Sequence, residues 1–331
     1  MTGIVFFVVT VALVFEFING FHDTANAIAT SVYTRALTAG KAIALAAVMN
    51  LVGAMAGNAV ANTIAHGLIN EGVEIKEWVI LAALLGAIIW NLITWWQGIP
   101  SSSSHALIGS LVGAAMVYTM GVGDITWSGV VQKVIIPLIS SPFLGFFFGF
   151  AIMKLIFKLC QGHSPGHVNG FFSKIQVVTA ALVAFSHGMN DAQKTMGIIT
   201  LALISGDVLP AGSNVPWQVK VICAVAIAAG TSAGGQRIMK TMGGGVTKLQ
   251  PPGGFAAQAS ATIVIEAMSF LGAPISTTHV LTSAVMGVGS AKRLSAVKWG
   301  KAKDIVVTWV ITLPICAALG GACCLLIGLF V

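Results

Sequence analysis

The sequence predicts an all-α polytopic membrane protein: a five-plus-five inverted repeat in which broken or re-entrant helices carry a polar central site. Three observations predict it. The composition is apolar and poor in charge, the apolar runs have membrane-spanning length, and two polar motifs occur twice in the same order. Asn19-Gly20-Phe21-His22-Asp23-Thr24-Ala25-Asn26 is echoed by His187-Gly188-Met189-Asn190-Asp191-Ala192-Gln193-Lys194. Gly98-Ile99-Pro100-Ser101-Ser102-Ser103-Ser104-His105 is echoed by Gly272-Ala273-Pro274-Ile275-Ser276-Thr277-Thr278-His279. Asp23 and Asp191 are 168 residues apart, His105 and His279 174.

Of 331 residues, 56% are hydrophobic and 8% charged, against about a quarter charged in a soluble domain; mean hydropathy is +0.93. The formal charge of +7 would suit a nucleic-acid partner. Basic residues beside membrane spans instead report orientation, so the lipid bilayer is the partner expected and nucleic acid is not. The five cysteines have no disulfide or metal-site spacing. The apolar start lacks a basic leader region and runs straight into the first motif, so it reads as part of the first span.

In chain order, the run Ile4 to Phe17 leads into the first Asp motif, and Ala42 to Val60 and Trp78 to Trp96 are plain spans. Gly98 to His105 opens a hydroxyl-bearing element, and Val130 to Phe157 closes the half. The second half repeats the order: a span holding the motif at Asp191, then Val219 to Gly230, Ala256 to Leu271, the element at Gly272 to His279, and Ile305 to Val331. Most runs reach the length that crosses about 30 Å of hydrocarbon. The division is a first repeat over 1–158, a cytoplasmic connector over 159–173 and a second repeat over 174–331. His163 and His167, between Gly162 and Gly170, sit in a solvated linker on this reading. Gly243 to Gly245 and Pro251 to Gly254 read as a flexible cytoplasmic loop.

Charge placement orients the chain. With Arg35 and Lys41 inside, a crossing at every run puts Glu71, Glu74, Glu77, Asp124 and Asp207 outside. Lys154, Lys158, Lys174, Arg237, Lys240, Lys248, Lys292, Arg293, Lys298, Lys301 and Lys303 then fall inside. Only Lys76, Lys133 and Lys220 are basic and outside, which favours both termini outside. Five crossings per half is odd, so the second copy enters from the opposite face. Inverted repeats let one midplane site open to either side.

The motifs have definite chemistry. Gly20 and its polar neighbours, and their counterparts around Gly188, predict a helix break near mid-membrane, tolerated only where it lines a cavity or is buried in protein. Amides freed after such a break aim a positive dipole end at an anion. Asp23 and Asn26, three apart, share a face. Pro100 and Pro274 each precede a helix start whose first turn carries hydroxyls. Such a turn offers neutral donors to a tetrahedral oxyanion, whose charge is offset by a cation held at Asp23 and Asp191.

The paired G-x-x-D-x-x-N and H-G-x-N-D segments, each followed by P-x-S-x-[ST]-H, resemble the inorganic phosphate transporter family of secondary carriers along the whole chain. The resemblance implies import of inorganic phosphate by cation symport through alternating access, in a multi-pass protein of a bacterial-type plasma membrane. It implies phosphate contacts at Asp23, Thr24, Asn26, Ser102, Ser103, Asn190, Asp191, Ser276, Thr277 and Thr278. Some similar proteins carry sulfate, the alternative substrate. An anion channel or a membrane phosphatase fits less well, since a duplicated motif is not what one asymmetric reaction requires.

The chain departs from the family pattern N-D-x-x-N-A. His22 precedes the first acid, and Lys194 stands where Asn26 stands in the first copy. A fixed ammonium near Asp191 replaces a bound sodium ion electrostatically and tilts coupling towards protons. The coupling set is Asp23, Asp191, Lys194, His105, His279 and Glu266. Sodium remains the alternative at Asp23, Asn26, Asn190 and Asp191. The co-transported H+ or Na+ is the only cofactor expected, no resident metal is assigned, and a homo-oligomer is left open. His105 and His279 either brace the element on a backbone carbonyl or sense protons. Glu16 is a second intramembrane acid without a repeat partner.

Overall fold

The computed structural model describes residues 3–66, 75–121, 126–233 and 246–331, apart from the side chains of residues 24–26 and 133. Glu71, Glu74, Asp124, Arg237, Lys240 and Gly243 to Gly245 therefore lie outside the described residues. The described residues form helices joined by short connections, with no strand among them. It comprises α1 (Gly3–Tyr33), α2 (Ala39–Ala54), α3 (Ala59–His66), α4 (Glu77–Gln97), α5 (Ser103–Tyr118) and α6 (Trp127–Leu159). The second half holds α7 (Pro165–Ser205), α8 (Trp217–Ala233), α9 (Pro251–Phe270), α10 (Thr277–Lys292) and α11 (Trp299–Gly328). Five of these, α1, α4, α6, α7 and α11, are long and apolar enough to cross a membrane, or six if α2 and α3, bent by 64° at their junction, form one span. A π-helical stretch at Val130–Ile135 precedes Pro137 in α6, where the missing proline N–H breaks the regular ladder.

The distribution of polarity is inverted relative to a soluble protein. Phe143 is 73% exposed, Trp96 70% and Val310 68%, whereas Asp23, Asp191, Lys194, His187 and the hydroxyls after Pro100 and Pro274 are buried. Apolar surface turned outwards with charge turned inwards is the arrangement lipid imposes.

Packing follows the duplication. α1 packs on α8 as α7 packs on α2; α5 packs on α11 as α10 packs on α6; α4 meets α5 and α11 as α9 meets α10 and α6. The crossings repeat to the residue. Gly20 and Gly230 press on the opposing backbone at Ile227 and Phe17, and Gly188 and Gly53 press in the same way at Asn50 and Phe185. A Cβ on Gly20 would sit 2.5 Å from the Ile227 carbonyl oxygen. Small residues that let backbones touch are the usual means of holding helices together where no hydrophobic drive exists between them.

Those crossings correct one expectation. α1 and α7 run unbroken through both Asp motifs, because Gly20 and Gly188 serve close helix approach and the acids bond to neighbouring elements instead of their own backbone. Of the repeated motifs, the two hydroxyl motifs are the ones at which the described helices break. Gly98 and Gly272 both adopt φ of 69°, and each terminus closes with the same pair of bonds. Gly98 N donates to Trp95 O (3.0 Å) and Ile99 N to Thr94 O (2.9 Å); Gly272 N donates to Ser269 O (3.0 Å) and Ala273 N to Met268 O (2.9 Å). A left-handed glycine closing a helix in this way is favoured, and the following proline stops continuation.

Two further stretches differ from the sequence reading. Pro251 to Gly254 is the first turn of α9, as suits proline, which tolerates a helix start. The exposed stretch with His167 is helical from Pro165, capped by Ser164, which accepts from His167 N at 3.4 Å.

Candidate functional site

The site forms where the N-termini of α5 and α10 meet the middles of α1 and α7. Ser102 caps α5 by accepting from His105 N at 3.1 Å, and Ser276 caps α10 by accepting from His279 N at 3.2 Å. Each cap satisfies one orphan amide and leaves other first-turn amides for a ligand. The hydroxyls that follow are donated to the acids. Ser103 donates to Asp23 Oδ2 at 2.7 Å, Thr278 to Asp23 Oδ1 at 3.4 Å, and Thr277 to Asp191 Oδ2 at 3.1 Å. Asp23 thus receives one hydroxyl from each half of the chain.

The two acids differ in their other neighbours. His22 Nδ1 lies 2.7 Å from Asp23 Oδ1, and its Nε2 lies 3.2 Å from Thr94 Oγ1, which accepts from Ser101 at 2.8 Å. Asp191 is paired with the Lys194 ammonium through Oδ1. That ammonium also donates to Ser104 Oγ and, at 2.7 Å, to the Ile275 carbonyl. Lys194 therefore ties α7 to both helix N-termini. Its buried charge is compensated by one carboxylate and two further acceptors, as a buried ion requires.

His187 completes the centre. Asn50 donates through Nδ2 to Thr231 Oγ1 at 2.8 Å, which fixes its carbonyl oxygen towards His187 Nδ1 at 3.0 Å. His187 Nδ1 is thereby the donor to Asn50, and the other ring nitrogen, Nε2, lies 3.0 Å from Asp191 Oδ2. A ring nitrogen and a carboxylate oxygen at that distance share a proton in a hydrogen bond. One such atom from each of Asp23, His187 and Asp191 lies within 4.8 Å of the others, all buried.

Several expected residues stand elsewhere. Thr24 and Asn26 lie outside the described side chains. Asn190 turns away from Asp191, donating to Ser269 Oγ at 2.7 Å and to the Ala273 carbonyl at 3.4 Å. It fixes α7 to α9 as His22 joins α1 to α4. Glu266 is half-buried and accepts from Ser186 at 2.6 Å, without reaching the acids. The rings of His105 and His279 meet edge to face at 4.5 Å, and His279 stacks on Trp309 at 4.0 Å; both pack behind the helix N-termini against α11. The sequence reading weighed His187 as a brace or proton sensor and Ser104 as a cap or packing residue without assigning either to the site, and it did not reach the Ile275 carbonyl. The spacing of His187 four residues before Asp191 was the available signal for the first; the other two are tertiary.

The chain matches the model of the phosphate transporter family over residues 19–320. A Bacillus subtilis protein named "Probable low-affinity inorganic phosphate transporter" is 50% identical over 317 residues, covering 95% of this chain and 94% of its own. A Rhizobium meliloti protein of the same name is 46% identical over 316 residues, covering 95% and 94%. A solved structure described as "The sodium-dependent phosphate transporter" superposes with a TM-score of 0.89 at 26% identity, covering all of both chains.

Proposed function

The chain belongs to the phosphate transporter family, and on that premise we propose that it imports inorganic phosphate across the plasma membrane by cation symport. The observation that carries this is the convergence of two acids, one ammonium and two helix N-termini in a single buried centre. The two carboxylates of Asp23 and Asp191 and the one ammonium of Lys194 sum to one net negative charge. Phosphate adds one or two more, and an uncompensated charge at membrane depth is strongly disfavoured. A cation must therefore load with the anion. Phosphate then takes over the hydroxyls of Ser103, Thr277 and Thr278, and the first-turn amides of α5 and α10, from the carboxylates.

Lys194 supplies fixed positive charge where the first copy has Asn26, which favours a proton over sodium as the mobile cation. The pairing symmetry of the helices supports alternating access: about ten crossing elements as a five-plus-five inverted repeat, divided at 1–158, 159–173 and 174–331, with both termini outside. Contacts from Ser103 and Thr278 to one acid join the halves at the centre, so a change of facing must break one of them. Sodium coupling is the second reading, favoured by the printed description of the structural neighbour.

Counterflow of labelled phosphate in proteoliposomes tests the proposal. The expected result is trans-acceleration by internal phosphate, weak competition by sulfate, and uptake that follows the pH gradient when choline replaces sodium. Strict dependence on sodium would reverse the cation assignment, and a sulfate preference would reverse the substrate.

A further inference from the structure

A second polar group lies one helical layer from the centre. Glu16, seven residues before Asp23 on α1, is wholly buried. Its Oε2 accepts the hydroxyl of Thr195, the neighbour of Lys194 on α7, and its Oε1 has no hydrogen-bond partner. Asn19 lies one turn along the same face of α1, and its Oδ1 is also buried without a partner. The duplication has no counterpart for the pair: 168 residues after Glu16 stands Ala184, and 168 before Thr195 stands Ala27.

The charged and titratable groups facing Glu16 are Asp191 and Lys194 on α7 and the Cys223 thiol on α8. Lys194 is already held by Asp191, Ser104 and Ile275. α4 carries no charged residue beyond Glu77 in its first turn; α2 has only Lys41 near its start; α9 has Glu266, bonded to Ser186; α10 has His279 and Lys292. Glu16 therefore has a hydroxyl donor in Thr195, an unbonded oxygen of its own, the unbonded Asn19 Oδ1 beside it, and no cation of its own among the described residues. A carboxylate at such depth requires a positively charged ligand. Glu16, Asn19 and Thr195 offer too few oxygens for a hard metal ion, which takes six or more, but one oxygen is enough for a proton.

We propose that Glu16, with Thr195 as its donor, is the proton-carrying site of this transporter, separate from the phosphate centre and coupled to it through the adjoining Thr195 and Lys194. The proposal rests on the symport reading above. The proton enters as Glu16 carboxyl O–H, rides with phosphate, and leaves to water on the other side; no bond to phosphate forms or breaks. Loading it removes a negative charge that acts on the Asp191 and Lys194 pair, which favours a further anion at the centre.

The test is the number of protons entering per phosphate, read in proteoliposomes by a trapped pH dye alongside labelled phosphate. Glu16→Gln is expected to lower that ratio by one, and Glu16→Asp to keep it. Thr195→Val, which retains the acid, gives a second reading: removing the hydroxyl that favours the charged form moves the pH of half-maximal uptake upwards. An unchanged ratio in Glu16→Gln overturns the proposal. So does an unmoved pH midpoint in Thr195→Val, which decides the matter if the glutamine variant fails to fold. Wild-type vesicles that accumulate no phosphate would instead refute the symport reading, a result distinct from either.

Discussion

Asp23 and Asp191 hold matching places in a duplicated backbone and live in unlike surroundings. The helices that carry them cross their partners through equivalent glycines, and the helix N-termini that face them are closed by the same bonds. Asp23 is nevertheless solvated by a histidine and two hydroxyls, whereas Asp191 has an ammonium, a histidine and one hydroxyl. On the proposed alternating-access reading, the symmetric backbone builds two opposite facings from one fold. On the same reading the charge is asymmetric because a centre that carries a polyanion needs a definite net charge, which two identical acids would not set.

Neutralising each acid breaks the comparison most severely. Asp23→Asn removes a carboxylate that, among the described residues, faces His22 and two hydroxyls and no lysine, so coupled uptake falls at least a hundredfold while thermal stability in detergent changes less than in the Asp191 variant. Asp191→Asn removes the partner of a buried ammonium. It is expected to lose uptake to the same degree and also about 3–5 kcal/mol of stability, the cost of leaving one member of a buried pair alone. Uptake and thermal unfolding measured on both variants decide this. Equal melting temperatures would show that Lys194 draws its stability from Ser104 and the Ile275 carbonyl, and that the two acids are closer equivalents than their neighbours suggest.

Lys194→Asn makes the second copy chemically like the first. Asp191 then lacks its fixed positive charge, and a mobile cation must supply it. Sodium is expected to stimulate uptake about tenfold in the variant, equivalent to roughly 1.4 kcal/mol of cation binding, and to have little effect on the wild type. Measuring both in sodium and in choline sharpens the comparison; a wild type that already needs sodium would remove Lys194 from the choice of ion.

What was legible in the sequence was local. Gly98 followed by Pro100, and Gly272 followed by Pro274, announce a helix stop and restart because left-handed glycine and proline act within a turn. The hydroxyls after them were legible for the same reason, and so were the two acids, which stand out against apolar sequence. Gly20 and Gly188 misled because a glycine that permits close packing looks identical, in one dimension, to a glycine that breaks a helix. The Asn190 amide contacts were not legible, because its partners, Ser269 of α9 and the Ala273 carbonyl, lie some eighty residues away. Glu16 could be flagged as an intramembrane acid but given no role, since its partner Thr195 lies 179 residues further along.

The mildest intervention tests whether the duplicated helix starts are equivalent in energy as well as geometry. Ser102 and Ser276 both cap the first turn through one accepted bond, at 3.1 and 3.2 Å, and replacing either by alanine should cost about 1 kcal/mol. The neighbours differ. α5 begins beside Ser104, which donates to Ile275 O at 2.9 Å and also receives the Lys194 ammonium, so its first turn is held from outside. In α10, Thr277 and Thr278 are both committed to the acids, and fraying of that turn disturbs Asp23 and Asp191 together. Ser276→Ala is therefore expected to raise the half-saturating phosphate concentration more than Ser102→Ala, by severalfold, at similar losses of thermal stability. Equal effects on phosphate affinity would mean that the two helix starts contribute alike and that the asymmetry of the centre ends at Lys194.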